Sequence, residues 1–136
     1  MQRDLVEAAQ SGDHDAFEAL AISMGDRLFA VARLILRDVD RAQDAVQEAL
    51  VQAWRALPQL RDPERFDAWM RRLIVNACSD QARRKKRWDA QIRAVPDLEP
   101  GDDITHTVAD RDQLERGFRR LKPEQRAAIV LRYYLD

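Results

Sequence analysis

Apolar residues recur at intervals of three and four over three long stretches, and this spacing constrains the fold more than any other feature of the chain. The stretches run from Phe17 to Ile35, from Ala42 to Leu57 and from Phe66 to Ala77. Such spacing places the apolar side chains on one face of an α-helix. The 136 residues include only four glycines and five prolines, so few positions interrupt a helix. The sequence therefore predicts an all-α fold built as a compact helical bundle.

Capping and helix-breaking residues divide this pattern into separate helices. A short helical segment around Leu5–Gln10 precedes the three long ones. Aspartates favour helix starts because their carboxylates accept hydrogen bonds from free backbone N–H groups, whereas glycine and proline favour helix ends and turns. The expected boundary residues are Gly12, Asp13 or Asp15, Asp38, Pro58 and the pair Asp62–Pro63.

The helical periodicity fades after Trp88. Prolines, a glycine and several acidic residues predict an acidic linker over residues 89–109. Helical spacing resumes with Leu114, Phe118 and Leu121, and Pro123 opens a further short segment. Two short helices cannot form their own core, so we expect them to pack on the bundle or to stay mobile. The candidates for burial in the last segment are Ala127, Ala128, Ile129, Leu131 and Tyr134.

Charge is distributed unevenly along the chain, although the formal net charge is only −1. Residues 61–88 hold nine basic and four acidic side chains, whereas the segments on either side are net acidic. Five of these basic residues are adjacent, at Arg83–Arg87. Cations at a helix C-terminus interact favourably with the helix dipole, but adjacent cations also repel one another. A polyanionic partner would relieve that repulsion, and a solvated helix end is the simpler alternative.

Several classes of protein lack the residues that they need. The longest apolar runs have five residues, too few to cross a membrane, and the acidic N-terminus does not fit a secretory signal, so a cytoplasmic protein without membrane insertion is expected. The only cysteine is Cys78 and the only histidines are His14 and His106, so neither a disulfide nor a metal site is expected. Cys78 is interpreted as a packing residue in preference to a redox sensor. The sequence has no catalytic or phosphate-binding motif, so neither an enzyme nor a cofactor is predicted.

Two motifs follow one another on the second and third long helices. The second helix reads Asp-x-x-Gln-Glu-x-x-x-x-x-Trp from Asp44 to Trp54, and the third reads Trp-Met-Arg-Arg-Leu-Ile-Val-Asn from Trp69 to Asn76 before the basic run. In composition alone, the outer face of the second helix is most simply a solvated surface. However, the order and spacing of the motifs over roughly residues 11–88 resemble conserved region two of bacterial sigma factors, in the extracytoplasmic function (ECF) subfamily.

This resemblance implies a specificity subunit that directs RNA polymerase to promoters. In that family, region two docks on clamp helices of the largest subunit of core RNA polymerase and recognises the minus-ten element, so residues 1–88 are expected to form this region. An anti-sigma factor is a further partner that the family allows. The implied polymerase-binding residues are Asp44, Gln47, Glu48, Val51, Gln52 and Arg55.

The resemblance also implies that the third helix binds the non-template strand of promoter DNA. In the subfamily, a base flipped from the opening duplex enters a pocket in the preceding loop, here Leu60–Arg65, with Asn76 beneath it. An amide presents both a donor and an acceptor to a base, although a packing role in the helix is the alternative for Asn76. Trp88 is either part of the linker or a surface on which a base stacks. The implied DNA-binding residues are Arg61, Arg65, Arg72, Asn76, Asp80, Arg83, Arg84, Lys85, Lys86 and Arg87.

The last part of the chain, residues 110–136, resembles the opening helices of sigma region four. The match stops before the helix that reads the minus-35 element in that family, so independent minus-35 recognition is not expected. Two alternatives remain open: an interaction module that binds an anti-sigma factor or occupies polymerase as a decoy, and a stand-alone helical DNA-binding regulator. Binding of single-stranded minus-ten DNA with and without core polymerase distinguishes them.

Overall fold

A computed structural model describes residues 2–92 and 110–134, in which every regular element is helical, as predicted. No helix in these ranges is both long enough and apolar enough to span a membrane. Two 3₁₀ turns, Leu57–Gln59 and Pro63–Arg65, lie between the third and fourth helices, and a π-helical turn, Val130–Tyr134, follows the sixth. The α-helices are α1 (Gln2–Gln10), α2 (His14–Leu36), α3 (Val39–Ala56), α4 (Phe66–Ile92), α5 (Asp110–Arg120) and α6 (Pro123–Ile129).

The starts of α2 and α3 are capped by aspartates, as the sequence predicts. Of the two candidates for α2, Asp13 is the cap, and its carboxylate accepts hydrogen bonds from the N–H groups of Asp15 and Ala16. Asp38 caps α3 by accepting from the N–H of Arg41 at 3.1 Å. Gly12, between α1 and α2, has a φ of +98°, a conformation that glycine adopts without steric cost.

The core lies where α2, α3 and α4 pack together, with α1 against α2. Its largest fully buried side chains include Leu20 and Ile35 of α2, Leu57 after α3, and Phe66 and Ile74 of α4. All five belong to the predicted apolar faces, which are therefore confirmed. Among the predicted residues that are half-buried, six pack against this core: Phe17, Met24, Val46, Leu50, Trp69 and Leu73. Ala21 and Trp54 are also half-buried.

Helix α4 differs from the prediction at both ends. Asp62 and Pro63 begin a 3₁₀ turn, and the α-helix itself begins three residues later at Phe66. The helix does not end at the basic run but continues to Ile92. Residues 89–92, predicted as linker, are thus helical, because alanine, glutamine and isoleucine continue a helix readily and no breaker occurs before Pro96. The rest of the predicted linker, residues 93–109, lies outside the described residues.

The C-terminal helices pack on the bundle through α6, which contacts α2 and α4. Ala127 and Val130 are buried there, whereas three other candidates for burial are exposed. The predicted burial was wrong for Ala128, Ile129 and Leu131. Ala128 and Ile129 lie between the buried residues Ala127 and Val130 and point away from that face of the helix. Leu131 follows the start of the π-helical turn at Val130, which rotates it out of the α-helical register. The side chain of Tyr134 lies outside the described residues.

Candidate functional site

A groove between the outer faces of α3 and α4 collects the residues that the resemblance assigns to polymerase binding. All six line it: Asp44, Gln47, Glu48, Val51, Gln52 and Arg55. The opposite wall consists of Asp80, Gln81 and Arg84 of α4. Val51 is an exposed apolar side chain within this otherwise polar surface. The six predicted polymerase-binding residues of α3 therefore form one wall of a groove whose other wall is α4.

Glu48 differs from its neighbours in this groove because it is bonded to α4. Its carboxylate accepts a hydrogen bond from Gln81 Nε2 at 3.0 Å and another from the Arg84 guanidinium. The Glu48 side chain is 27% exposed, whereas Asp44, one turn earlier, is exposed. Within the predicted polymerase-binding face, the Glu48 carboxylate thus links α3 to α4.

Gln81 is a residue that the sequence analysis did not single out. It is only 4% exposed, and its backbone carbonyl accepts a hydrogen bond from Arg41 Nη1 at 3.2 Å. A signal for it exists in the sequence, because Gln81 follows Ala77 by four residues and Cys78 by three. A polar residue on the apolar face of a helix requires a hydrogen-bonding partner when that face is buried.

The predicted DNA-binding residues on α4 differ in their surroundings. Arg72 and Asn76 are exposed. Asp80 pairs with Arg83 through their side chains, and Arg84 turns toward Glu48. Asp80 and Arg84 also line the α3–α4 groove, so the predicted DNA-binding residues of α4 lie on more than one surface.

The five consecutive basic residues surround α4 instead of following one face. Successive residues of an α-helix are rotated by about 100°, so five of them cover the whole circumference. Lys85 and Lys86 line a second groove together with Arg41 and Arg126, beside α6. Arg87 is exposed. The basic run Arg83–Arg87 thus forms a cationic collar around α4, and its residues contact different parts of the molecule or point into solvent.

The loop between α3 and α4 contains the other two predicted DNA-binding residues. Arg61 and Arg65 are both exposed, and Arg65 lies 4.0 Å from the carboxylate of Asp62. Asp62 in turn accepts a hydrogen bond from the N–H of Glu64 at 3.0 Å, which shapes the second 3₁₀ turn. Helix α1, to which the sequence analysis assigned no role, contacts both 3₁₀ turns of this loop.

The remaining candidate residues are Trp88, Cys78 and the two histidines. Trp88 lies within α4 with 59% of its surface exposed, so it is not part of a linker. Burial raises the pKa of the Cys78 thiol to about 12, in keeping with its packing role. His14 stacks on Trp54 with ring centroids 4.6 Å apart. His106 lies outside the described residues, and within the described ones no group of three or more His, Cys, Asp or Glu is arranged to hold a metal ion.

Comparison with known proteins identifies the α2–α4 portion of the bundle. The family model for sigma-70 region 2 matches residues 20–88, which include both walls of the α3–α4 groove and the cationic collar. The chain is 35% identical over 127 residues to the ECF RNA polymerase sigma factor SigM of Mycobacterium tuberculosis, covering 93% of this chain. It is also 31% identical over 118 residues to the RNA polymerase sigma-E factor of Streptomyces coelicolor, covering 87% of this chain.

A more distant relative extends over nearly the whole chain. The ECF RNA polymerase sigma factor SigW of Bacillus subtilis is 23% identical over 146 aligned positions, covering 98% of this chain and 78% of SigW. The chain spans 64% of the length of SigM and 66% of the length of the Streptomyces factor. The matched motifs, the bundle that carries them and these relatives agree: the chain belongs to the sigma-70 region 2 family, among the ECF sigma factors.

Proposed function

We propose that this protein directs core RNA polymerase to promoters, as an ECF-type sigma factor that recognises the minus-ten element in transcription initiation. It contributes binding surfaces and performs no chemistry of its own, and it acts where the template is, in the cytoplasm. The observation that carries the proposal is that the family match at residues 20–88 contains two adjoining surfaces of different character, the α3–α4 groove and the cationic collar.

The α3 wall of the groove is the proposed contact for the clamp helices of the largest polymerase subunit. Val51 is 44% exposed and supplies an apolar centre, while Asp44, Gln47 and Arg55 supply an exposed polar rim. Interfaces between proteins that associate reversibly commonly combine a small apolar centre with a polar rim. Glu48 contributes mainly by holding α4 beside this surface.

The exposed side of α4 is the proposed contact for the non-template DNA strand. Arg72, Asn76 and Arg83 are exposed and follow one another at helical spacing. Arginine and lysine side chains neutralise phosphates without reading sequence, whereas an amide can discriminate between base edges. The loop from Leu60 to Arg65 is the proposed pocket for a flipped base, and strand binding must offset a cost of a few kcal/mol for unstacking that base.

The proposal is tested by measuring DNA binding with and without core RNA polymerase. A fluorescent single-stranded oligonucleotide is first selected from a random pool by the wild-type chain bound to a bacterial core polymerase. We expect this probe to bind the complex more tightly than a scrambled probe, as measured by fluorescence anisotropy. Equal binding of both probes by the complex would contradict the proposal, and tight duplex binding without polymerase would indicate a stand-alone regulator.

Two substitutions separate the two kinds of DNA contact. Asn76→Ala is expected to reduce the preference for the selected probe over the scrambled one, with a smaller effect on total affinity. Lys85→Ala is expected to lower affinity for both probes alike and to reduce the slope of log affinity against log salt by about 0.7 for a single strand. Anisotropy titrations over a range of salt concentrations measure both quantities. If Asn76→Ala weakened both probes equally, its proposed role in base selection would be wrong.

A further inference from the structure

The loop between α3 and α4 is held from one side by α1. Gln10, the last residue of α1, donates two hydrogen bonds from its side-chain Nε2, one to the carbonyl of Leu57 at 3.1 Å and one to the carbonyl of Leu60 at 2.7 Å. Both contacts join segments far apart in the sequence, and Gln10 is half-buried at the junction. One amide group thus fixes the backbone at two points three residues apart.

These two carbonyls define how the loop leaves the core. Leu57 is fully buried and anchors the start of the first 3₁₀ turn, and its carbonyl also accepts the N–H of Leu60 at 3.0 Å. Leu60 is half-buried, between the exposed residues Gln59 and Arg61. The direction in which the Arg61–Arg65 segment departs therefore depends on where the Leu60 carbonyl is held.

Two further contacts of α1 with this region are weaker. Arg3 pairs with Glu64 at 3.1 Å and Gln2 donates to Asp67 at 2.8 Å, but all four side chains are exposed. Polar contacts between exposed side chains are weak because water competes for both partners. Gln10 is the α1 residue whose side chain bonds to the loop backbone itself in a part-buried setting.

We propose that Gln10 is a positioning residue for base selection, which sets the shape of the pocket-forming loop without contacting DNA. The inference rests on the proposed function, because it assigns the loop the role of holding a flipped base. Discrimination between bases requires hydrogen-bonding groups at fixed positions, and a small displacement of such groups weakens the matched base more than the mismatched ones. Gln10 is thus a residue outside the DNA-binding surface that determines promoter specificity.

The experiment uses the full chain bound to core RNA polymerase, the selected oligonucleotide described above, and the set of its single-base variants. For Gln10→Ala, we expect the preference for the selected base at one position to fall about five- to tenfold, with affinity for the scrambled oligonucleotide unchanged within about twofold. Gln2→Ala is the matched control, since it removes the same type of side chain from the other end of α1, and it is expected to leave the preference unchanged.

Two other variants at the same position test the hydrogen bonds directly. Gln10→Glu keeps the shape of the side chain but has no N–H donors, so it is expected to lose the preference, whereas Gln10→Lys keeps donors at similar reach and is expected to retain most of it. This pair decides the question even if Gln10→Ala does not fold.

The outcomes also separate this inference from the proposed function. If the wild-type complex prefers no base at any position, the proposed function fails. If the wild-type complex has a preference and Gln10→Glu keeps it, or if Gln10→Glu and Gln10→Lys lose affinity equally on all oligonucleotides, the proposed role of Gln10 is overturned while the proposed function stands.

Discussion

At the scale of single residues, Glu48 combines an implied binding role with a structural role, and the sequence motif does not distinguish the two. It belongs to the surface implied in polymerase binding, yet its carboxylate is the acceptor for the buried amide of Gln81. A buried polar group that loses its partner costs more than the bond itself contributes, because it has already given up its water. The Arg84 side chain, in contrast, is 54% exposed and regains water easily if the pair is broken.

Substitutions at Glu48 are therefore expected to lower the free energy of unfolding by amounts that depend on whether an acceptor for Gln81 remains. Glu48→Ala should lower the free energy of unfolding by about 1–3 kcal/mol because it leaves Gln81 unsatisfied. Glu48→Gln keeps an acceptor for Gln81 and loses only the charge pair with Arg84, so it should cost less than about 1 kcal/mol. Asp44→Ala, on the same exposed face, is the control and should change stability by less than about 0.5 kcal/mol. Urea denaturation measures all three, and equal stability of the two alanine variants would contradict the structural role.

At the scale of elements, α3 packs between its neighbours through a line of small side chains. Ala42, Ala45, Ala49 and Ala53 are all fully buried, and α3 contacts both α2 and α4. Helices approach closely where only methyl groups separate them, and interiors are packed too densely to accept extra carbon atoms without movement. The close contact between α3 and α4 is what brings Glu48 within reach of Gln81 and forms the groove.

Enlarging one of these alanines should therefore disturb the whole arrangement. Ala49→Leu is expected to lower the free energy of unfolding by about 1–3 kcal/mol through overpacking. Ala19→Leu makes the same change at an exposed position of α2 and should alter stability by less than about 0.5 kcal/mol. Chemical denaturation of both variants tests the prediction. A destabilisation of the same size at Ala19 would show that the cost arises from the leucine side chain and not from packing.

The helices themselves were predictable from sequence because their signals are local. Apolar spacing and capping aspartates involve residues within a few positions of one another, and these predictions for α2 and α3 are confirmed. The arrangement of the candidate site was less predictable because it depends on contacts between distant segments. Gln10 and Leu60 are fifty positions apart in the sequence, and Glu48 and Arg84 are thirty-six apart. Neither pairing therefore produces a local sequence pattern. The roles assigned to the site residues stay predictions.

At the scale of the whole molecule, Arg126 joins the C-terminal helices to the bundle. Its side chain is only 7% exposed. Its Nε–H donates a hydrogen bond to the carbonyl of Ile35 in α2, and its Nη1 donates one to the carbonyl of Leu121 at 2.6 Å. Burial lowers the pKa of Arg126, and the neighbouring positive charge of Arg37 lowers it further. The guanidinium is therefore held by uncharged carbonyls at the point where α6 meets the end of α2.

The contribution of Arg126 can be measured as the local stability of α6. Arg126→Met keeps much of the side-chain volume but removes its hydrogen bonds, leaving the carbonyls of Ile35 and Leu121 without that donor. Since bonds from a charged donor contribute about 1.5–3 kcal/mol, amides in residues 123–134 should exchange with deuterium about tenfold faster or more. Amides in the centre of α3 should keep their rates, because the bundle has its own core. Arg132→Met, at an exposed position, is the matched control and should leave both sets unchanged. Equal acceleration in α3 and α6 would mean that the C-terminal helices and the bundle unfold as one cooperative unit.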